Sequence, residues 1–375
     1  MRAATQTGAK SIVTPAAAVG RGTSRPKAWR FKETGLIGVV LVAGLILSVF
    51  GGSLKTIDQA TGQTRTVNKF LRADNLDKLA KNTSFFAIMA VGATFVIVTG
   101  GIDLSVGSVY CLAAVCAAMF LHRFGPQGVG AGTSPLVVVP AAIGLCLAVG
   151  TVCGFLNGLG VVLLGVHPFV ITLGTMAIYR GIAFVMTKAQ AYTHFPPQFT
   201  DGLIRLEAGP NLYPVPMTIM IGVTVLGGIL LEYMVTGRQI FAVGGNEQAA
   251  HFSGVPVNRV KLAVYSLSGL GAGIAAMIML GYYGAASSDA GKGYELDVIA
   301  AAVVGGASLA GGRGTALGAM LGALIIQMIN NGIIILDIDQ NYSQIIIGAV
   351  IVVAVVLDRV NNALRTWRLS RSGAA

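Results

Sequence analysis

The chain has 375 residues, 54% of them hydrophobic and only 11% charged, with a formal net charge of +11 and a mean hydropathy of +0.74. That hydropathy excludes an ordinary soluble domain. The apolar residues form continuous runs rich in Leu, Ile, Val, Ala and Gly, whereas a membrane β-barrel shows short segments of strict alternation.

In chain order, a basic arm over 1–34 comes first, with Arg2, Lys10, Arg21, Arg25, Lys27, Arg30 and Lys32 opposed by Glu33. Apolar runs follow at 35–52, 84–100, 102–122, 135–165, 168–187, 214–236, 262–283, 295–311, 314–336 and 343–358. A bilayer-spanning helix needs roughly 20 mostly apolar residues, so the expected fold is all-α, with about ten spans over 35–358. A basic tail over 359–375 carries Arg359, Arg365, Arg368 and Arg371. Positive charge flanking spans marks the cytoplasmic side, which places both termini there and explains the net charge without nucleic acid. The arms are also suited to anionic lipid head groups.

The segment 53–83 departs from this pattern. It faces outward in the expected topology, yet it holds Lys55, Arg65, Lys69, Arg72, Lys78 and Lys81. Long translocated loops partly escape the charge rule, and Phe70 to Ala80 suits an amphipathic helix at the interface. The first apolar run lacks the pattern of a cleavable signal.

Self-similarity appears at two offsets. Gly144, Asn157, Gly158 and Gly174 align with Gly318, Asn331, Gly332 and Gly348, while Gly100-Gly101 and Gly107 align with Gly311-Gly312 and Gly318. Two related halves are therefore expected, with a pathway at the interface between them.

Several motifs stand out from the apolar background. Gly100-Gly101-Ile102-Asp103-Leu104-Ser105 interrupts the stretch from Phe85 to Leu121. It reads either as a broken helix lining a path or as a tight turn with Asp103 capping the next helix. Gly150, Gly154 and Gly158 form a small-residue ridge, as do Gly314, Gly318 and Gly322; four-residue glycine spacing allows close helix approach. Asn157 and Asn331 are amides in apolar runs, where a buried polar group needs a partner; they cross-link helices or line a polar path. Arg180 is expected to snorkel or to make an inter-helix contact.

Other chemistry has no foothold. The four Cys lie in apolar runs and the four His show no metal spacing, so no metal site is expected. No phosphate-binding loop occurs, no catalytic cluster forms, and no span carries a pair of interior carboxylates of the kind that ion coupling needs. Energy for active transport must then come from another chain. The polar segment 237–261, between two apolar runs, is where such a partner can dock; a plain solvated loop is the alternative.

The chain resembles the permease subunits of ribose-type carbohydrate ABC importers, in the wider group that holds the branched-chain amino-acid permeases. The likeness is carried by Ala90–Gly92 leading into Gly100–Ser108, by Gly154–Gly158 with Pro168–Thr175, by Ala242–Gly254, and by Ile299–Gly306 continuing through Gly312-Arg313-Gly314 to Asn331-Gly332. The resemblance implies that Gly245, Asn246, Glu247, Gln248, Ala249, Ala250 and Gly254 form the coupling segment that grips an ATPase, with Gln248 where the family has Glu. It implies a transport subunit rather than an enzyme, with no cofactor of its own, ATP and Mg being bound by the partner subunit. It also implies a second permease copy, either identical or a paralogue, and a periplasmic binding protein that delivers a ribose-like pentose, hexose or polyol. The translocation path would pass near Asp103, Ser105, Asn157, Phe169, Thr172 and Asn331, and the location would be a bacterial inner membrane. An ion-coupled secondary transporter with inverted repeats is the alternative. The basic arm and the extra polar residues Lys55–Asn68 depart from the family's compact pattern.

Overall fold

The computed structural model describes residues 33–57, 64–207, 213–350, 352, 353 and 356. Most of the basic arm, all of the basic tail and the end of the last apolar run lie outside the described residues. The elements are α1 (Thr34–Phe50), the hairpin β1 (Ser53–Ile57) and β2 (Thr64–Asn68), α2 (Ala73–Val98), α3 (Val106–Arg123), α4 (Pro135–Leu164), α5 (Pro168–Thr187), the single turn α6 (Pro197–Phe199), α7 (Pro214–Glu232), α8 (Val235–Gly245), α9 (Glu247–Phe252), α10 (Val257–Tyr283), α11 (Tyr294–Val304) and α12 (Ala316–Ile335). A further helix begins at Ser343.

Local chemistry sets many of the boundaries. Pro135, Pro168 and Pro214 each occupy the first position of a helix, where the missing N–H has no intrahelical partner to lose. Gly165 and Gly284 close α4 and α10 in the left-handed conformation.

Among the described residues seven helices are long and apolar enough to cross a membrane: α2, α3, α4, α5, α7, α10 and α12. The molecule is a multi-pass membrane protein. α2 lies at its centre, with every residue from Thr83 to Val98 buried. α4, α5 and α7 lie at the periphery and leave apolar side chains such as Leu163, Val185 and Leu226 exposed, as lipid-facing helices do.

The structure adds detail to three expectations. Residues 53–57 and 64–68 add an antiparallel strand pair, with Ser53 opposite Asn68 and Ile57 opposite Thr64, to the otherwise helical fold. No separate interfacial helix covers Phe70 to Ala80, because α2 starts at Ala73 and runs unbroken for 26 residues. Three of the basic residues in this region are paired: Lys69 with Asp337, Arg72 with Asp74, and Lys81 with Asp77. Finally, the apolar run 295–311 is helical only as far as Val304, giving α11 11 residues, about 16 Å of rise. Residues 305–315 are non-helical, and Gly312 N–H donates to the Val98 carbonyl at the end of α2.

The two sets of matched residues land in a definite geometry. Asn157 of α4 lies near the C-terminal end of α2, where its Nδ2 donates to Ser105 Oγ at 2.6 Å. Asn331 of α12 lies near the other end, in a reciprocal amide pair with Asn75 at 2.8 and 3.2 Å. The matched helices α4 and α12 thus run past α2 in opposite directions. The glycine pairs at the second offset touch: a Cβ on Gly311 would lie 3.1 Å from the Gly100 nitrogen.

Candidate coupling surface and buried polar cluster

The polar segment 237–261 is a built structure rather than a loop. Asn246 is extended (φ −161°, ψ 104°), ends α8 and starts α9, and its side-chain oxygen accepts from Ala249 N–H at 2.9 Å. Such a cap satisfies a donor that the helix leaves free. Glu247 stands in the first turn of α9, where a negative charge suits the helix dipole. Gly254, at φ +82°, lets the chain reverse, and Val255 N–H returns to the Ala250 carbonyl at 3.0 Å. Lys261 Nζ bonds Glu247 Oε1 at 2.7 Å, tying α9 to the first turns of α10.

Exposure along α9 is uneven. Gln248, Ala249, His251 and Phe252 are exposed, whereas Ala250 is buried. The two alanines therefore have different jobs: Ala250 seats the helix on the bundle and Ala249 faces outward. Phe252 is 87% exposed, a large apolar side chain at the tip of a polar segment. Reasoning from sequence misses it; the signal it offers is a lone aromatic in a stretch otherwise polar or small.

A second feature lies close to the α8–α9 end of the bundle. Asp103 is buried and accepts from Ser105 N–H at 2.9 Å, Ser105 Oγ at 2.7 Å and Ser268 Oγ of α10 at 3.0 Å. Ser105 Oγ in turn accepts from Asn157 of α4, whose Oδ1 accepts from Tyr179 of α5 at 3.3 Å. Thr172 Oγ1 and Tyr265 OH reach the Ile102 carbonyl at 3.2 and 3.4 Å. Asp103 thus pins the α2–α3 turn to α10 directly and to α4 and α5 through neutral donors. Ser105, not Asp103, is the N-cap residue of α3.

Of the path residues, Asp103, Ser105, Asn157 and Thr172 meet in this cluster. Phe169 is half-exposed on α5 and joins the cluster only through its backbone carbonyl, which accepts from Thr172 Oγ1 at 3.4 Å, and Asn331 is at the far end with Asn75. The glycine ridges lie against backbone. A Cβ on Gly150 would lie 2.3 Å from the Gly269 carbonyl oxygen, and one on Gly154 2.2 Å from that of Tyr265; Gly158 faces Leu262. Gly318 faces the carbonyl of Gly305 just past α11 and Gly322 that of Ala301 in α11, while Gly314 precedes α12 and faces Val98 and Thr94. Arg180 donates to the Ser288 and Ala290 carbonyls at 3.1 and 2.5 Å, holding the α10–α11 connection.

At the opposite end Lys81 and Asp77 form a buried ion pair. Lys81 Nζ also donates to Tyr282 OH at 2.8 Å and stands 4.6 and 4.3 Å from the ring centroids of Tyr213 and Tyr282. Among the described residues no group of three or more His, Cys, Asp or Glu side chains is placed to hold a metal ion.

Residues 75–355 match the model of the branched-chain amino acid transport system / permease component family, a region that takes in both the polar cluster and the α8–α9 segment. The chain belongs to this permease family. The permease is 37% identical over 333 residues to the ribose import permease protein of Escherichia coli K12, covering 88% of this chain and 95% of the relative. It is 39% identical over 295 residues to the ribose import permease protein of Bacillus subtilis, covering 78% and 87%. Against the D-allose transport system permease protein of Escherichia coli K12 it is 34% identical over 322 residues, covering 86% and 91%. No solved structure matches the permease.

Proposed function

We propose that this chain is the membrane-spanning subunit of an ATP-driven ABC importer and that it moves a monosaccharide, a ribose-like pentose, hexose or polyol. The observation that carries the mechanism is α9: a capped helix outside the spans that presents Ala249 and an 87% exposed Phe252. An exposed aromatic anchor beside a small residue is the pattern of an interface that buries one large side chain in a partner's pocket. The occupant is a cytoplasmic ATP-binding subunit, which holds ATP and Mg and performs the hydrolysis; this chain carries no cofactor. The relatives named for ribose and allose transport support the sugar class.

The remaining assignments follow from that orientation. The α8–α9 end faces the cytoplasm, as do both termini, in a bacterial inner membrane. Ten crossings result when α1, the helix from Ser343, and α11 with residues 305–315 are counted beside the seven long helices. A second copy or a paralogue packs beside this one, a periplasmic binding protein delivers the sugar to the Lys81–Tyr282 end, and the path runs between the two permeases. Phe169 faces that path, with the Asp103 cluster holding the helices behind it.

Tagged wild-type protein purified from its host membrane is expected to bring down an ATP-binding subunit, and an Ala249→Glu/Phe252→Ser double variant to lose it while remaining in the membrane. A wild type that captures no ATPase, with uptake collapsing under an uncoupler, refutes the proposal in favour of an ion-coupled carrier.

A further inference from the structure

Three glycine-bearing segments that lie far apart in the chain meet at one point. Gly244 is in the last turn of α8, two residues before the cap of α9. A Cβ there would stand 1.7 Å from the Val98 carbonyl oxygen and 2.7 Å from the Gly312 nitrogen. The same Val98 carbonyl, at the end of α2, accepts from Gly312 N–H at 2.8 Å. Gly312 has φ +74°, and a Cβ on Gly311 would stand 2.7 Å from the Gly244 carbonyl oxygen and 3.1 Å from the Gly100 nitrogen. Backbone therefore rests on backbone from three segments, with no side chain between them to take up movement.

Each segment leads within a few residues to something that matters for transport. From Gly244 the chain enters Asn246 and the docking helix α9. From Gly100 it enters Ile102 and Asp103, which are bonded to α4, α5 and α10 as described. From Gly312 it enters Thr315, whose Oγ1 caps α12 by accepting from Gly318 N–H at 3.0 Å. The turn before it is internally braced, with Ser308 N–H to the Arg313 carbonyl and Gly311 N–H to the Ser308 carbonyl at 3.1 and 2.9 Å. Tightly packed elements shift between discrete arrangements rather than deform continuously, so a displacement of α8 is passed on at such a contact.

We propose that Gly244, Gly312 and the end of α2 form the joint through which movement of the docking helix reaches the starts of α3 and α12, with Gly244 and Gly312 as positioning residues for coupling. This rests on α9 being the ATPase-docking element. A methyl at Gly244 pushes α8 off the end of α2 and Gly312 while leaving the exposed face of α9 unchanged. The joint accounts for the glycine pair at 311–312, which helix packing alone does not require, because it precedes α12.

The test uses the whole transporter, permease with ATP-binding subunit and sugar-binding protein, in proteoliposomes loaded with ATP. Gly244→Ala is expected to assemble with the ATP-binding subunit and to keep its ATPase rate without binding protein, while sugar uptake and the stimulation of ATPase by loaded binding protein fall about tenfold, in the usual range of coupling between sites. Gly228→Ala on α7, where a Cβ meets nothing within 4 Å, is expected to behave as wild type. Should Gly244→Ala fail to assemble, Gly312→Ala takes its place in the same assay, since its Cβ meets nothing closer than 3.5 Å and it strains only the backbone. Sugar uptake per ATP equal to wild type in whichever of these variants assembles overturns the joint. A wild-type permease that fails to assemble with any ATPase refutes the functional proposal instead, so the two failures are distinct.

Discussion

Replacing Gly154 with Ala is expected to destabilise the bundle, although the same change in an unpacked helix stabilises it. The new methyl would sit 2.2 Å from the Tyr265 carbonyl oxygen and 3.0 Å from the Gly269 Cα. An ordinary carbon–oxygen approach is about 3.3 Å, so α4 and α10 must part by about 1 Å at that point. Gly150 and Gly158 lie on the same ridge against Gly269 and Leu262, so the gap opens along the seam. A radial gap of about 0.5–1 Å forfeits a quarter to a half of each dispersion contact. Overpacking of this kind costs about 1–3 kcal/mol, against about 1 kcal/mol gained by removing a helical glycine. The net expectation is a loss of up to about 2 kcal/mol for Gly154→Ala, and no loss or a gain of up to about 1 kcal/mol for Gly222→Ala, where a Cβ meets nothing within 4 Å. Thermal unfolding in detergent, followed with a thiol-reactive dye, reads this directly, because Cys111, Cys146 and Cys153 are buried until the bundle opens. The midpoint should fall by a few degrees for Gly154→Ala and stay level or rise for Gly222→Ala. If both variants rise together, α4 and α10 are not in backbone contact and the close-packed seam is refuted.

Two further outcomes follow from the buried polar groups. Lys81→Met strands Asp77 among buried side chains and is expected to lower stability by about 3–5 kcal/mol, with Lys81→Met/Asp77→Leu recovering most of it; chemical denaturation of the three proteins checks this, and a double variant no better than the single one contradicts it. Asp103→Leu removes the acceptor of both Ser105 Oγ and Ser268 Oγ, each orphaned group costing about 1–3 kcal/mol, whereas Asp103→Asn keeps one acceptor oxygen and costs less. A melting temperature for Asp103→Leu equal to wild type refutes the cluster's role in holding α3 to α10.

Much of the site is legible in the sequence because its residues differ in kind from the apolar background. The segment 245–254 stands out by polarity, Asp103 and Asn157 as polar groups that need partners, and the glycine ridges by their spacing. Phe252 does not, because an aromatic in a membrane protein is no signal until its exposure is known. The basic charges near 55–81, outward in the expected topology, look like a violation of charge asymmetry; only the tertiary structure shows that three of them, Lys69, Arg72 and Lys81, are paired with Asp337, Asp74 and Asp77.

From the sequence alone come the membrane class, most helix positions and the exposed polar segment, because hydropathy, helix-breaking glycines and local capping act over a few residues. Three things belong to the tertiary structure. The long-range meeting of Asp103 with Ser268 sets what the α2–α3 turn does. The opposite placement of Asn157 and Asn331 shows that matched residues serve different ends of the bundle. The contact of Gly244 with Val98 and Gly312 depends on three segments converging. Each joins residues from distant parts of the chain, and no local preference can specify which distant backbone a glycine will touch; close packing of the whole bundle decides it.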